Sequence, residues 1–430
     1  MKILYLVHQY FPRSIGGTEI YTHGLAARAQ AAGHEVLALT THESASGHRE
    51  DFHIETTTFE NIPIVEVHFN LSLMPHPARA EYFNAVIGDI VAEQIRAFQP
   101  DVVHALHSMK ISAAALEACY EMRVPVVITL CDFWFLCPRH TLLKFNGSLC
   151  SGPNRFFKCV PCVQQQHDFA RFPKRPRQVL PFLRDVQAIN SRPRALQNVL
   201  LKAQRIIALS HFAKEMFVEN GFPKERIEVL AHGLETEDLD AAGVLHAPRA
   251  NRNEPLKIGF IGSLVPHKGA HVLLEALASI PDARVELLVY GALPESEYGH
   301  NLKAAAAHDS RVRLMGGFER HAIAGVLRSF DVLAMPALWY ENQPLVIKAA
   351  HHMGIPVLAS AIGSLPEMIE EGVSGWLVAP STPTAWAAKI AGLAVQQRPV
   401  CQPQKVKTMD ENAAEMLKIY EQVSCYDVTL

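Results

Sequence analysis

Short apolar runs recur through the first 235 residues, at Ile3–Val7, Val36–Thr40, Ile64–Phe69, Val102–Ala105, Val124–Leu130, Ile206–Ser210 and Ile227–Leu230, with mixed stretches of helical character between them. Alternation of this kind predicts a parallel sheet with helices on both faces. After Gly243 the pattern breaks. Ala247-Pro248-Arg249-Ala250-Asn251-Arg252-Asn253-Glu254-Pro255 has two prolines and no apolar period, which predicts a linker. A second alternation follows, with strands at Ile258–Gly262, Val285–Gly291, Val312–Met315, Val332–Met335, Val357–Ser360 and Trp376–Val378 and helices such as His271–Ala278. The expected chain is α/β, with one Rossmann-like, doubly wound domain over 1–243 and another over 256–400. Near the end, Ala413, Met416, Leu417, Ile419, Tyr420 and Val423 approach an i, i+3, i+4, i+7 stripe. They predict a helix at about 405–425 that docks across the domains. No repeat of 20–50 residues relates the halves, which are alike in class and not in sequence.

Composition narrows the function. With 430 residues, 49% hydrophobic and 19% charged, the chain buries cores and is not a disordered tail. Forty Lys and Arg against 43 Asp and Glu give a net charge of −3, which argues against nucleic acid as a main ligand. No window holds 18 consecutive apolar residues, and the apolar start is too short for a signal peptide. A cytoplasmic protein is expected, soluble or peripheral on the inner face of a membrane.

Residues 137–200 interrupt the first alternation, and an insertion so long is usually functional or mobile. Four of the eight cysteines lie there, as Cys137-x12-Cys150-x8-Cys159-x2-Cys162. Four thiols ending in a Cys-x2-Cys pair suit a structural tetrahedral zinc, and four unlinked reduced thiols are the alternative. Catalytic zinc is not expected, because four thiolates leave no open position. From Arg171 to Arg205 there are nine Arg or Lys and one acid, Asp185, among Phe172, Val179, Leu180, Phe182, Leu183 and Ile189. Such a mixture suits an anionic membrane surface or a lipid diphosphate, and equally a solvated insertion with apolar anchors. Asp238-Leu239-Asp240 reads as a chance acidic pair. No His-Glu-x-x-His, Gly-x-Ser-x-Gly or P-loop pattern occurs.

In doubly wound sheets ligands bind beyond the carboxyl ends of the strands. The loop after the first strand runs from His8 to Glu19 and contains Gly16 and Gly17, either a tight turn or a place where backbone amides approach a phosphate. The loop after Ile258–Gly262 reads Ser263-Leu264-Val265-Pro266-His267-Lys268-Gly269 and puts a cation just before a helix, either a solvated helix start or a diphosphate contact.

These segments, with Glu341-Asn342-Gln343-Pro344-Leu345-Val346-Ile347, Gly354-Ile355-Pro356-Val357 and Gly363-Ser364-Leu365-Pro366-Glu367, resemble a family 4 glycosyltransferase in order over nearly the whole chain. The resemblance implies a GT-B fold, with two Rossmann-like domains facing across a cleft. A nucleotide-sugar donor is then held mainly by the second domain and a glycan or lipid-linked acceptor by the first. The implied reaction is metal-free transfer with retention at the anomeric carbon, in cell-envelope or exopolysaccharide synthesis. By this resemblance Glu341 contacts the donor sugar, and Lys268 and Ser263 the diphosphate. Gly16, Gly17, Asn342, Gln343, Pro344, Leu345 and Val346 complete the donor side, and Asp132 with Cys131 faces the acceptor. Two positions depart from the family. Its second glutamate, a ribose ligand, is Ala349, and the histidine of its His-Asp-Phe-Trp segment is Cys131. They leave a second reading, a degenerate member that binds or scaffolds without turnover, unless His351 or His352 rebuilds recognition.

Overall fold

Every apolar run named above forms a strand in the computed structural model, which describes residues 1–43, 52–153, 158–166, 172–243, 254–395 and 401–425. The first sheet consists of β1 (Lys2–Leu6), β2 (Glu35–Glu43), β3 (Phe52–Phe59), β4 (Ile62–Phe69), β5 (Val102–Ala105), β6 (Val126–Leu130), β7 (Arg205–Ala208) and β8 (Ile227–Val229). Its order is β3-β4-β2-β1-β5-β6-β7-β8, parallel except for the antiparallel β3–β4 pair. β3 was not expected. It is an edge strand, Phe-His-Ile-Glu-Thr-Thr-Thr-Phe, whose polar residues suit an edge and mask the apolar signal.

The second sheet consists of β9 (Leu256–Ile261), β10 (Val285–Tyr290), β11 (Val312–Gly316), β12 (Val332–Met335), β13 (Val357–Ser360) and β14 (Gly375–Val378). It is parallel, in the order β11-β10-β9-β12-β13-β14. This is the doubly wound order, with its switch point between β9 and β12. In the first sheet the same reversal falls between β1 and β5.

The chain divides into two units, Met1–Gly233 with Met409–Leu430, and Leu234–Thr408. The division falls ten residues before the expected end at 243, for a reason the local sequence hides. Helix Glu237–Ala242 packs on helix Ile323–Arg328, Arg328 Nη2 donates to the Gly243 carbonyl at 3.0 Å, and Asp240 pairs with His352 Nε2 at 2.7 Å. Residues 244–253, most of the expected linker, lie outside the described residues.

The terminal helix Met409–Ser424 belongs to the first unit. Met409, Ala413, Met416, Tyr420 and Val423 enter a core with Ile3, Tyr5, Tyr21 and Val102. Tyr21 Oη donates to Asn412 Oδ1 at 2.9 Å, and Tyr420 Oη lies 2.6 Å from His104 Nδ1.

The insertion after β6 holds helices Val160–Gln166 and Val179–Leu200, joined by a small cluster of Val160, Val163, Val186 and Ile189. Arg192 is buried there. Its Nε reaches Glu81 Oε2 at 3.0 Å, its Nη2 donates to the Trp134 carbonyl at 2.8 Å, and its guanidinium lies over the Trp134 ring. Removing one partner of a buried pair of this kind typically costs about 3–5 kcal/mol. Lys202 and Arg205 likewise pair with Glu117 and Glu228. The basic stretch is therefore not one surface. Its exposed apolar residues lie in the first two turns of the second helix and the segment before it, where Phe172, Leu180 and Leu183 are 74%, 59% and 53% exposed. Arg171 lies outside the described residues. No helix among the described residues is long and apolar enough to cross a membrane.

Candidate active site

In the second unit the loops after β9 and β12 meet at the switch point. Gly269, at φ 78°, ends the turn Pro266–Lys268 and opens helix Ala270–Ala278. A Cβ there would collide with the Pro336 carbonyl oxygen, so glycine lets the β9 loop lie against the β12 loop. The close approach brings Lys268 Nζ to 2.6 Å from Glu341 Oε1 and 4.9 Å from the centre of the Trp339 ring. Trp339 Nε1 donates to the same carboxylate oxygen at 2.7 Å. Glu341 is buried, so these partners offset the cost of taking its charge out of water.

The Glu341 backbone is fixed as well. Its carbonyl accepts from Ser364 N at 3.0 Å and Ser364 Oγ at 2.9 Å, and a Cβ on Gly363 would come within 2.9 Å of it. Gln343 N donates to Ser364 Oγ at 2.9 Å, and buried Gln343 Oε1 has no hydrogen-bond partner. Asn342 precedes it, Pro344 caps helix Leu345–His352, and Leu345 and Val346 form that helix's first turn. Ser263 is exposed in the loop after β9. Ala349 is buried in the same helix beside Lys348, which burial and then the Lys407 charge push down to about 7. Of the two histidines suggested as replacements for the lost glutamate, His352 is paired with Asp240, and His351 is held neutral by burial, at about 4, with its buried Nε2 lacking a hydrogen-bond partner.

In the first unit the loops after β1, β5 and β6 carry the polar groups. Gly16 and Gly17 open helix Gly17–Ala31, where Glu19 folds back so that its carboxylate meets the amides of Gly16 and of its own residue. A Cβ on Gly16 would stand 2.6 Å from Glu19 Oε2. Burial raises the Glu19 carboxyl despite those bonds. Cys131 directly follows β6, with its thiol on Thr18. Burial, then the Asp132 charge, hold that thiol protonated, so it is no nucleophile at neutral pH.

Asp132 is the centre of this group. Its Oδ1 accepts from Trp134 N at 2.9 Å, and its Oδ2 pairs with His107 Nε2. Burial opposes ionisation, yet His107's charge and hydrogen bond keep the carboxyl below its ordinary range. Met109 N lies 3.2 Å from His107 Nδ1, a contact that orients the ring with Nε2 facing Asp132. The His107 ring stacks on His8 at 3.9 Å and meets His140 edge-on at 6.3 Å. Burial keeps His8 and His140 neutral, and the buried Nδ1 of each has no hydrogen-bond partner. The sequence reading missed His107 and His140. The available signal was position, because His8 follows β1 and His107 follows β5, the two strands at the switch point.

The four insertion cysteines are free thiols. Burial pushes Cys137 up to about 12 and Cys159 up to about 11, and Cys159 senses both Cys150 and Cys162. They are neighbours, but among the described residues no three of these sulfurs stand within 4.8 Å of one another.

The family described as Glycosyltransferase Family 4 matches residues 15–238, and that described as Glycosyl transferases group 1 matches residues 255–395. The D-inositol 3-phosphate glycosyltransferase of Corynebacterium glutamicum (strain R) is 31% identical over 185 residues, 39% of this chain and 43% of that protein. Its counterpart in Mycobacterium sp. (strain JLS) is 32% identical over 206 residues, 46% of each chain. The chain thus spans less than half the length of these curated relatives. Among solved structures, Anabaena HepE in complex with UDP and glucose aligns with a TM-score of 0.63 at 20% identity, over 99% of this chain and 98% of that one. A glycosyltransferase from Rickettsia africae ESF-5 aligns with a TM-score of 0.64 at 16% identity, over 99% of each. At these identities the likeness shows the GT-B fold.

Proposed function

Because the chain belongs to Glycosyltransferase Family 4, we propose that it moves a sugar from a nucleotide-diphosphate donor to a glycan or lipid-linked glycan, with retention at the anomeric carbon. The observation that carries the reading is the Lys268–Glu341–Trp339 constellation at the switch point of the second sheet. A cation held on a loop before a helix meets a leaving diphosphate, where negative charge grows as the glycosyl bond breaks. Glu341, fixed at backbone and side chain, orients the donor sugar. Ser263, Asn342, Gln343 and the first turn Leu345–Val346 complete the donor side.

The acceptor hydroxyl forms the new bond to the anomeric carbon on the face from which the diphosphate departs, and its proton passes to a phosphate oxygen of that leaving group. On the acceptor side Asp132 is the charged group, and His107 holds it ionised and oriented. His107 thereby supplies an imidazole in a neighbourhood where the family's histidine is Cys131. Released sugar, formed with water as acceptor and followed by NMR before mutarotation, tests the stereochemistry. The first anomer has the donor's configuration if the reading is right and the opposite one if it is wrong.

Ala349 favours the second reading, binding without turnover, since a buried methyl accepts no ribose hydrogen bond. Saturable donor binding with no release of nucleotide diphosphate is its signature.

Two further parts of the proposal concern the insertion. Cys137, Cys150, Cys159 and Cys162 suit a structural zinc by donor type, but their sulfurs would have to draw closer together to share one ion, and the metal would then close a segment with only a small core. The exposed Phe172, Leu180 and Leu183, flanked by Lys174, Arg175, Arg177 and Arg184, suit peripheral contact with an anionic membrane, which would place the protein on a cytoplasmic membrane face. Cosedimentation that does not respond to anionic lipid overturns that contact.

A further inference from the structure

The antiparallel pairing of β3 and β4 sets Glu55 directly opposite Glu66 and His53 directly opposite His68, and the parallel pairing of β2 and β4 sets His42 beside His68. All five side chains therefore project from one face of the sheet. Two carboxylates placed opposite one another repel. Arg13, from the loop after β1, reaches between them, with Nε 2.9 Å from Glu66 Oε2 and Nη2 3.2 Å from Glu55 Oε2. Its single charge balances one of the two acids.

His68 Nε2 faces the same two oxygens. It is a buried atom with no hydrogen-bond partner, 3.5 Å from Glu55 Oε2 and 3.6 Å from Glu66 Oε2. The three atoms lie within 4.8 Å of one another. Ligands about 2.1 Å from a tetrahedral zinc stand about 3.4 Å apart, so the imidazole and the carboxylates already have nearly the spacing that a shared cation requires. His53 Nε2, 3.4 Å from Glu55 Oε1, is next in reach for a fourth position.

We propose that Glu55, Glu66 and His68 form a site for a divalent transition-metal cation of the zinc class, which competes with the Arg13 side chain for the two carboxylates. Imidazole with carboxylate oxygen is a donor set that zinc and cobalt accept. A dication neutralises both acids, where Arg13 neutralises one. Arg13 is half exposed, so it swings into water at small cost and takes with it the tie between the Gly16–Gly17 loop and β3–β4. The site is separate from the insertion cysteines and does not depend on the glycosyltransferase reading.

The test is a cobalt(II) titration of the full chain, read on the visible bands of four-coordinate cobalt with nitrogen and oxygen ligands, as difference spectra between variants. Bound cysteine thiolates announce themselves separately by near-ultraviolet charge transfer. The proposal expects Glu66→Gln, His68→Ala and the exposed Glu55→Gln each to weaken this binding about tenfold or more, since each removes a ligand. Arg13→Ala tightens it about tenfold by removing the competing charge. That gain cannot come from misfolding. Equal cobalt affinity in wild type, Arg13→Ala and Glu55→Gln overturns the proposal, as does a cobalt spectrum with the thiolate bands alone.

Discussion

Lys268 Nζ lies 2.6 Å from Glu341 Oε1 although 73 residues separate the two in the chain, and Trp339 donates to that same oxygen. Each partner makes sense of the other, since a buried carboxylate needs a cation and a lysine on a short loop needs a fixed counter-charge. Lys268→Ala leaves the acid with Trp339 alone and is expected to lower the stability of the second unit by about 1–3 kcal/mol in denaturant unfolding. Adding Glu341→Gln recovers part of that loss. Strictly additive effects of the two substitutions would show that the pair is not coupled.

Two glycines with nearly the same backbone angle separate conformational cost from collision. Gly269 has φ 78° and Gly372 φ 77°, but a Cβ at Gly269 meets the Pro336 carbonyl and one at Gly372 meets nothing within 4 Å. Gly372→Ala should cost about 1 kcal/mol for the left-handed backbone alone. Gly269→Ala should cost at least twice that and also weaken donor binding, because the Lys268 loop must move. Thermal unfolding of the two variants side by side checks the ranking.

The first unit should lose stability in mild acid. Burial holds His104 neutral, down to about 3, between Tyr420 Oη and Thr129 Oγ1. Its folded value is below the unfolded one near 6.5, so the unfolded chain binds the extra proton, and stability falls as pH drops below about 6.5 until the folded value is reached. At about 1.4 kcal/mol per pH unit, His104 alone accounts for about 2–3 kcal/mol by pH 4.5. His8 and His140, also lowered by burial, act in the same direction. His104→Gln should flatten the dependence of Tm on pH between 6.5 and 4.5, and an unchanged slope would exclude this origin.

Asp132 and its partner His107 belong to the first unit, Lys268 and Glu341 to the second. Asp132→Asn, which preserves shape and removes charge, is therefore expected to misplace the acceptor and lower turnover on the order of 100-fold while leaving donor Kd unchanged. His107→Gln should do the same, less severely. A donor Kd that shifts with turnover would show that Asp132 serves donor binding instead.

The strands of both sheets were legible because parallel strands buried on both faces are runs of Val, Ile and Leu, and the terminal helix because Ala413, Met416, Tyr420 and Val423 keep helical spacing. β3 was not, since an edge strand facing water is polar, though its three successive threonines are a β-branched signal. Lys268 and Glu341 were named singly, and their contact is a product of strand order, which brings β9 beside β12. The unit boundary at Gly233 depends on Asp240 and Arg328 finding partners far along the chain, and His107 on β5 lying beside β1. Tertiary pairing of this kind leaves no local pattern.

Calorimetric titration with UDP-, GDP-, ADP- and TDP-linked sugars, repeated on Lys268→Ala and Glu341→Gln, tests the central claim most directly. The account predicts saturable binding of one nucleotide sugar, weakened about tenfold or more when the charge at Lys268 is removed, and weakened also by Glu341→Gln. Binding of none of the four, or binding that neither substitution changes, would contradict it.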